Sequence, residues 1–194
     1  MPDRIVMDLD DWTDATAYWA TPILDRLYAE SEGRLRVTLF AVPAYLSTYG
    51  AIRTRSRPWI ELAVHGHTHA PNECAEWDAG RVTDLLGSLP PGTYAPVFRA
   101  PYWVTSPGLY EGLADAGWAV ADHPSNAEKI PPRLARYVLS PEHGIGDAHR
   151  LLPVIQAHGH VENVMGNGLR ERFGDFLALA RSGADYAFVR EVVQ

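Results

Sequence analysis

The chain has 194 residues, 46% of them hydrophobic and 21% charged, with a formal net charge of −7 and a pI near 5.6. These values describe one ordinary globular domain, residues 1–194, able to bury a full core without staples. They exclude a nucleic-acid backbone as the main partner, because Lys and Arg form no basic stripe. The single cysteine, Cys74, excludes an internal disulfide, and no apolar run approaches the roughly 20 residues of a membrane span. No basic segment precedes a long apolar stretch at the start, so the expectation is a cytoplasmic protein without a signal peptide. Composition leaves the oligomeric state open.

In chain order, residues 5–9 read as a strand. Residues 16–30 carry Ala17, Trp19, Ile23, Leu24 and Leu27 at mixed three and four spacing, which predicts an amphipathic helix. Residues 36–42 form a second strand stopped by Pro43, an irregular stretch runs to Pro58, and residues 60–64 form a third strand. A helix is expected over 78–86, a strand over 97–100, and a helix over 106–116 with Ser106 as N-cap and Gly117 as stop. Residues 118–121 read as a strand ending at Asp122, residues 123–136 as irregular and Pro-rich, and 137–139 as a short strand. Residues 152–157 form a strand ending at His158, 168–180 a helix and 186–189 a last strand. Alternating strands and helices predict an α/β fold with a parallel sheet and helices outside it. About seven strands fit an irregular, TIM-barrel-like (β/α)7 barrel, with an open doubly wound sheet as the alternative. No Gly-rich phosphate loop follows a strand, so neither a dinucleotide nor an ATP site is supported.

Polar residues gather just past the strand ends: Asp8, Asp10 and Asp11; His65, His67 and His69; Arg99 with Tyr102; Asp122 and His123; His158 and His160. In a parallel barrel those ends share one face, where active sites sit. An Asp here can cap the following helix, but capping needs one carboxylate and three are present. A lone His is commonly a satisfied core or surface residue, whereas three within five positions at a strand end suit metal binding. If the chain stays extended, His65, His67 and His69 share a side. If it turns at Gly66, two of them converge with a carboxylate, a set that suits Zn²⁺ or Fe²⁺. Glu73 and Cys74 give weak evidence for further ligands, Asp122 and His123 read equally as a turn, and His143 and His149 read as solvated. Trp12 and Trp103 adjoin the site and could line a pocket.

These residues resemble the polysaccharide deacetylase family, the NodB-homology or carbohydrate esterase 4 group. Leu9-Asp10-Asp11-Trp12 resembles its aromatic-Asp-Asp-Gly motif, His65 to His69 its His-x-x-x-His motif, and Arg99-Ala100-Pro101-Tyr102 its Arg-x-Pro-Tyr motif. The run Val154-Ile155-Gln156-Ala157-His158 resembles the apolar strand that ends in a catalytic His. The resemblance implies an irregular (β/α)7 barrel. It implies that Asp11, His65 and His69 hold one divalent ion, zinc first, with Fe²⁺, Co²⁺ or Ni²⁺ compatible. Asp10 would be the general base, Arg99 would hold its carboxylate, the Tyr102 backbone N–H would bind the oxyanion, and His158 would be the general acid.

The chain also departs from the pattern. Trp12 replaces a Gly, and the fourth motif is not evident, which leaves Asp122 as the candidate to orient His158. His160, two residues out in a glycine-containing turn, is the alternative acid or a substrate-binding group. The implied activity is hydrolysis of an N-acetyl group on a sugar or related small molecule. Rival readings are a cyclic-amide or other C–N hydrolase on the same fold, and a non-catalytic binder of a ligand. A two-His-one-carboxylate iron oxygenase is disfavoured by the strand–helix alternation.

Overall fold

A computed structural model of the protein describes residues 4–139, 154–162 and 166–194. Eight strands form one sheet: β1 (Arg4–Trp12), β2 (Val37–Ala41), β3 (Ile60–His65), β4 (Val97–Arg99), β5 (Ala119–Asp122), β6 (Arg136–Val138), β7 (Val154–His160) and β8 (Asp185–Ala187). Among the described residues five α-helices lie between them: α1 (Asp14–Glu30), α2 (Thr48–Arg55), α3 (Ala79–Ser88), α4 (Pro107–Asp115) and α5 (Phe173–Ala180). The strand order is β6-β5-β4-β3-β2-β1-β7, with β8 beside the start of β1, and every pairing is parallel. A doubly wound sheet would reverse its order around a central strand. Here neighbours follow the sequence from β1 to β6, as a barrel requires, so the fold is an irregular (β/α)7 barrel. Among the described residues β6 and β7 do not pair. Gln156 Nε2 on β7 instead donates to the Val138 carbonyl at 3.1 Å.

Strand alternation sorts the side chains. Ile5, Met7 and Leu9 of β1 pack outward with Leu24 and Leu27 of α1 and Phe176 and Leu179 of α5. Val64 and Phe98 face outward against Val82 and Leu85 of α3 and Leu109 and Leu113 of α4. Inside the barrel lie Val6, Phe40, Ala63, Val97, Ala121 and Tyr137. Small residues on β3 and β5 leave room there for the large polar side chains nearer the strand ends.

Three elements differ from the sequence reading. Residues 48–55 form α2, capped by Ser47, where an irregular stretch is expected; its sequence Thr-Tyr-Gly-Ala-Ile-Arg-Thr-Arg carries no apolar stripe. Strand β7 continues through His158 to His160, so His160 stands on the strand and not in a turn. Gly159 permits this, since a Cβ there would lie 3.2 Å from both the Asn167 carbonyl and the Phe176 ring. The last helix begins at Phe173 and not at 168. The expected strand start at Leu152 lies outside the described residues, as do His143 and His149. No described helix is long and apolar enough to cross a membrane.

Candidate active site

The end of β1 places two adjacent carboxylates on one side. In a regular strand Asp10 and Asp11 would point to opposite faces. The β1–β2 register slips between Leu9 and Trp12, and Asp11 adopts φ 69°, which makes the irregularity a bulge that re-aims side chains. Both carboxylates therefore reach the site, and Trp12 is thrown outward. Trp12 is fully buried in the core between sheet and helices, and its Nε1 donates to Thr54 Oγ1 at 3.2 Å. The expectation that Trp12 lines the pocket is corrected accordingly.

The His65–His69 segment turns at Gly66, whose φ is +61° and whose Cβ position would lie 2.5 Å from Glu73 Oε2. Glu73 organises this turn. Its Oε2 accepts the amides of His67 and His69 at 3.1 and 3.0 Å, and its Oε1 accepts the Thr68 amide at 2.8 Å. Glu73 is thus the anchor of the loop and stands outside the groups of ligand atoms. The turn brings together Asp11, His65 and His69, whose ligand atoms all lie within 4.8 Å of one another. His67 contributes only main-chain bonds, to Glu73 and to the Ala44 amide.

A divalent ion fits this trio. Asp11 Oδ1 is buried, 3.0 Å from His69 Nε2 and 3.6 Å from His65 Nε2. His65 Nδ1 faces the Arg99 carbonyl at 3.2 Å, the outer contact that fixes a ligating imidazole and aims its other nitrogen. Burial pushes the His65 proton affinity down, against the pull of Asp10 and Asp11, and the neutral ring is the form that binds metal. Asp11 and His69 both hold left-handed backbone, as do Tyr102 and Trp103. Such conformations in side-chain-bearing residues collect at functional sites.

Beside this trio stands a buried charged cluster. Arg99 Nη1 donates to Asp8 Oδ1, and to Asp10 Oδ1 at 2.7 Å. Its guanidinium lies over the Phe40 ring, 3.8 Å from the centroid, and beside Trp103 at 5.1 Å. Burial raises the proton affinity of Asp10, but Arg99 first, then His65, His158 and His160, outweigh it and hold the carboxyl well below the usual range. Asp8 is likewise held down, burial being overcome by Arg99 and His158. Both carboxylates are ionised at neutral pH.

His158 and His160 enter from β7, which pairs with β1 in the register Asp8↔His158 and Asp10↔His160. His158 Nδ1 lies 2.8 Å from Asp8 Oδ1. The expectation that Asp122 orients His158 is therefore not met. Asp122 is buried in a separate network, accepting from Tyr110 Oη and the His123 amide at 2.7 Å and from Asn126 Nδ2 at 2.9 Å. Asp122 ends β5, which does not pair with β7, whereas Asp8 stands directly opposite His158 in the sheet. Trp103 does border the site, its ring edge-on to His158 at 5.6 Å. The Tyr102 ring is exposed and 5.0 Å from the His69 ring, and its amide has no partner among the described residues. Next to Asp11 and His69 opens a cleft of about 340 Å³, lined also by Thr13, Val42, Tyr45, Thr68 and Glu162.

Solved structures share this arrangement of the chain. An acetyl xylan esterase of family 4 from Clostridium thermocellum, in complex with a cobalt ion, superposes with a TM-score of 0.55 at 14% identity, over 97% of this chain and 89% of that one. The chain has the carbohydrate esterase 4 fold. A peptidoglycan N-acetylglucosamine deacetylase matches with TM-score 0.59 and 14% identity, over 98% and 87% of the two chains. A mutant of a pseudoenzyme of that family matches with 0.62 and 11% identity, over 98% and 67%. No family model and no curated protein matches the sequence. One esterase 4 fold thus carries esterases, amide hydrolases and a pseudoenzyme, so activity must be argued from the site.

Proposed function

We propose that this esterase 4 fold is a metal-dependent deacetylase that releases acetate from an N-acetylated sugar or related small molecule. The observation that carries the reading is the division of labour among side chains gathered at the ends of β1, β3, β4 and β7. Asp11, His65 and His69 form a ligand trio. Asp10 stands beside it as an ionised carboxylate, and His158 is fixed by Asp8 on the far side of Asp10. A non-catalytic binder has no use for a base and an anchored imidazole flanking a ligand trio.

A divalent ion held by Asp11, His65 and His69 would supply Lewis-acid activation of water and of the acetyl carbonyl. That help is needed, because a carboxylate held as low as Asp10 is a weak base by itself. Asp10 takes the proton from the attacking water, with Arg99 on Oδ1 leaving Oδ2 for the transfer. The unpartnered Tyr102 amide donates to the oxygen on which negative charge develops, an interaction worth about 3–4 kcal/mol in other enzymes. His158 gives a proton to the departing amine. Its Nδ1–H donates to Asp8, which fixes the tautomer and stabilises the ring when charged, so that Nε2 carries the transferred proton. The tilted Tyr102 ring and the cleft beside His69 suit stacking and enclosure of a small polar acyl donor.

The test is acetate release by purified protein, stripped of metal and reloaded with Zn²⁺, across N-acetyl sugars, nucleotide sugars and modified nucleosides. Metal-dependent acetate release from at least one class is expected. Opening of a cyclic amide without acetate release, or no turnover by the metal-loaded protein on any of these, would sink the reading.

A further inference from the structure

A second group of ligand atoms stands beside the first, on Asp10, the chain neighbour of Asp11, and on His158 and His160. His158 and His160 alternate on β7, so both rings face inward. His158 Nε2 and His160 Nε2 each stand 4.0 Å from one atom, Asp10 Oδ2. Neither distance is a hydrogen bond. The ligand atoms of the three residues all lie within 4.8 Å of one another. Donors bonded at about 2.0–2.2 Å in a tetrahedral site stand roughly 3.3–3.6 Å apart, so a cation fits between these three once the two 4.0 Å separations close by about 0.4–0.7 Å. His158 already has the carboxylate contact through Nδ1 that orients a ligating ring. His160 Nδ1 is buried and makes no hydrogen bond among the described residues, so no outer partner there opposes its turning toward an ion.

We infer that Asp10, His158 and His160 form a second, weaker site for a soft divalent ion such as Zn²⁺ or Co²⁺, and that filling it silences the enzyme. The silencing rests on the reading of Asp10 and His158 as base and acid: an ion that takes Asp10 Oδ2 and His158 Nε2 removes both proton-transfer groups. Two imidazoles and one carboxylate select transition metals over Mg²⁺ or Ca²⁺. The site is the weaker one for two reasons. Arg99 places a positive charge against the same carboxylate, and His160 lacks the outer partner whose loss typically costs about 10–100-fold in metal affinity.

The experiment titrates metal-free protein with Zn²⁺, by calorimetry and by activity together, and compares wild type with His160→Gln and His69→Ala. Wild type should take up two equivalents, the second about 10–100-fold weaker, and acetate release should rise with the first and fall by about 10²-fold or more with the second. His160→Gln should bind one equivalent and lose the falling phase, relative to whatever activity it shows at one equivalent. Wild type binding a single ion, or His160→Gln binding two, overturns the inference. Histidine ¹⁵N spectra of wild type provide a check that needs no variant: the His158 and His160 ring nitrogens should shift with the second equivalent, and their silence also overturns it. A wrong first site shows differently, as tight uptake of the first ion that survives in His69→Ala.

Discussion

His158 Nδ1 bonds to Asp8 Oδ1 at 2.8 Å, and the two residues are directly opposed in the parallel pairing of β7 with β1. The orientation of the imidazole is therefore a property of the sheet. It is set by register, and a one-residue slip would turn every side chain of β7 to the other face.

This predicts a phenotype for Asp8→Asn that depends on the leaving group. The variant keeps an acceptor of the same size but loses the charge that stabilises a protonated ring. Turnover of an N-acetyl substrate should fall by about 10²-fold or more. Hydrolysis of an activated aryl acetate, whose leaving group needs no proton, should fall much less. His158→Ala should show the same split, and His160→Ala should raise KM more than it lowers kcat. Equal losses on both substrates in Asp8→Asn would assign Asp8 a purely structural role.

Metal content separates the three histidines of the 65–69 segment. His65→Ala and His69→Ala should lose the tightly bound ion, while His67→Ala keeps it, because His67 takes part only through its main chain. Chelation of the wild type should abolish acetate release, and Zn²⁺ or Co²⁺ should restore it. Elemental analysis after dialysis decides the matter. Full metal occupancy in His65→Ala or His69→Ala would reject the trio.

The pair Asp10 and Arg99 should respond in opposite ways to removal. Asp10→Asn removes the proposed proton acceptor yet keeps a side chain for Arg99 to bond, so the protein should fold, retain its tight ion and lose about 10²–10⁴-fold in kcat. Arg99→Ala leaves Asp8 and Asp10 buried without their cation, and breaking such a cluster costs about 3–5 kcal/mol of stability. Thermal melts of both variants alongside kcat distinguish the two effects. Near-normal turnover by Asp10→Asn would move the base elsewhere, with Asp8 the first suspect.

Much of this was legible in the residues, for physical reasons that can be named. Apolar runs alternating with amphipathic stretches predict the parallel barrel, and polar residues just past the runs point to one face of it. The grouping of Asp11, His65 and His69 follows once Gly66 is known to turn. What escaped the sequence depends on register and on local distortion. The bulge at Asp11 decides that Trp12 joins the core, and no pattern announces it. Asp8 holds His158 because β7 pairs with β1, a contact across 150 positions that spacing cannot show. Glu73 reads as a possible ligand from its nearness to the histidines, while its carboxylate is saturated by three amides of their loop. Helix α2 carries no apolar stripe, and the cap at Ser47 is its one signal.

At the opposite end of the barrel, Glu61 should make stability depend on pH. Its side chain enters the barrel from the start of β3, with Oε2 2.6 Å from Arg190 Nε and Oε1 3.4 Å from Thr38 Oγ1. Burial pushes its carboxyl up to about 7, against the opposing pull of Arg190 and of the Thr38 hydroxyl. A folded-state value above the unfolded one means that the native protein holds the proton more tightly. The stabilisation is present in full below the unfolded value, about 4.3, and is lost as pH rises through about 7. Glu61→Gln keeps a group that can bond Thr38 and cannot ionise. Its stability relative to wild type should therefore rise between pH 5 and pH 8, by an amount bounded at about 3 kcal/mol. Urea unfolding of both proteins across that range measures the difference. If the two curves run parallel, Arg190 keeps Glu61 ionised throughout, and the burial of the carboxylate costs the fold nothing that pH can reveal.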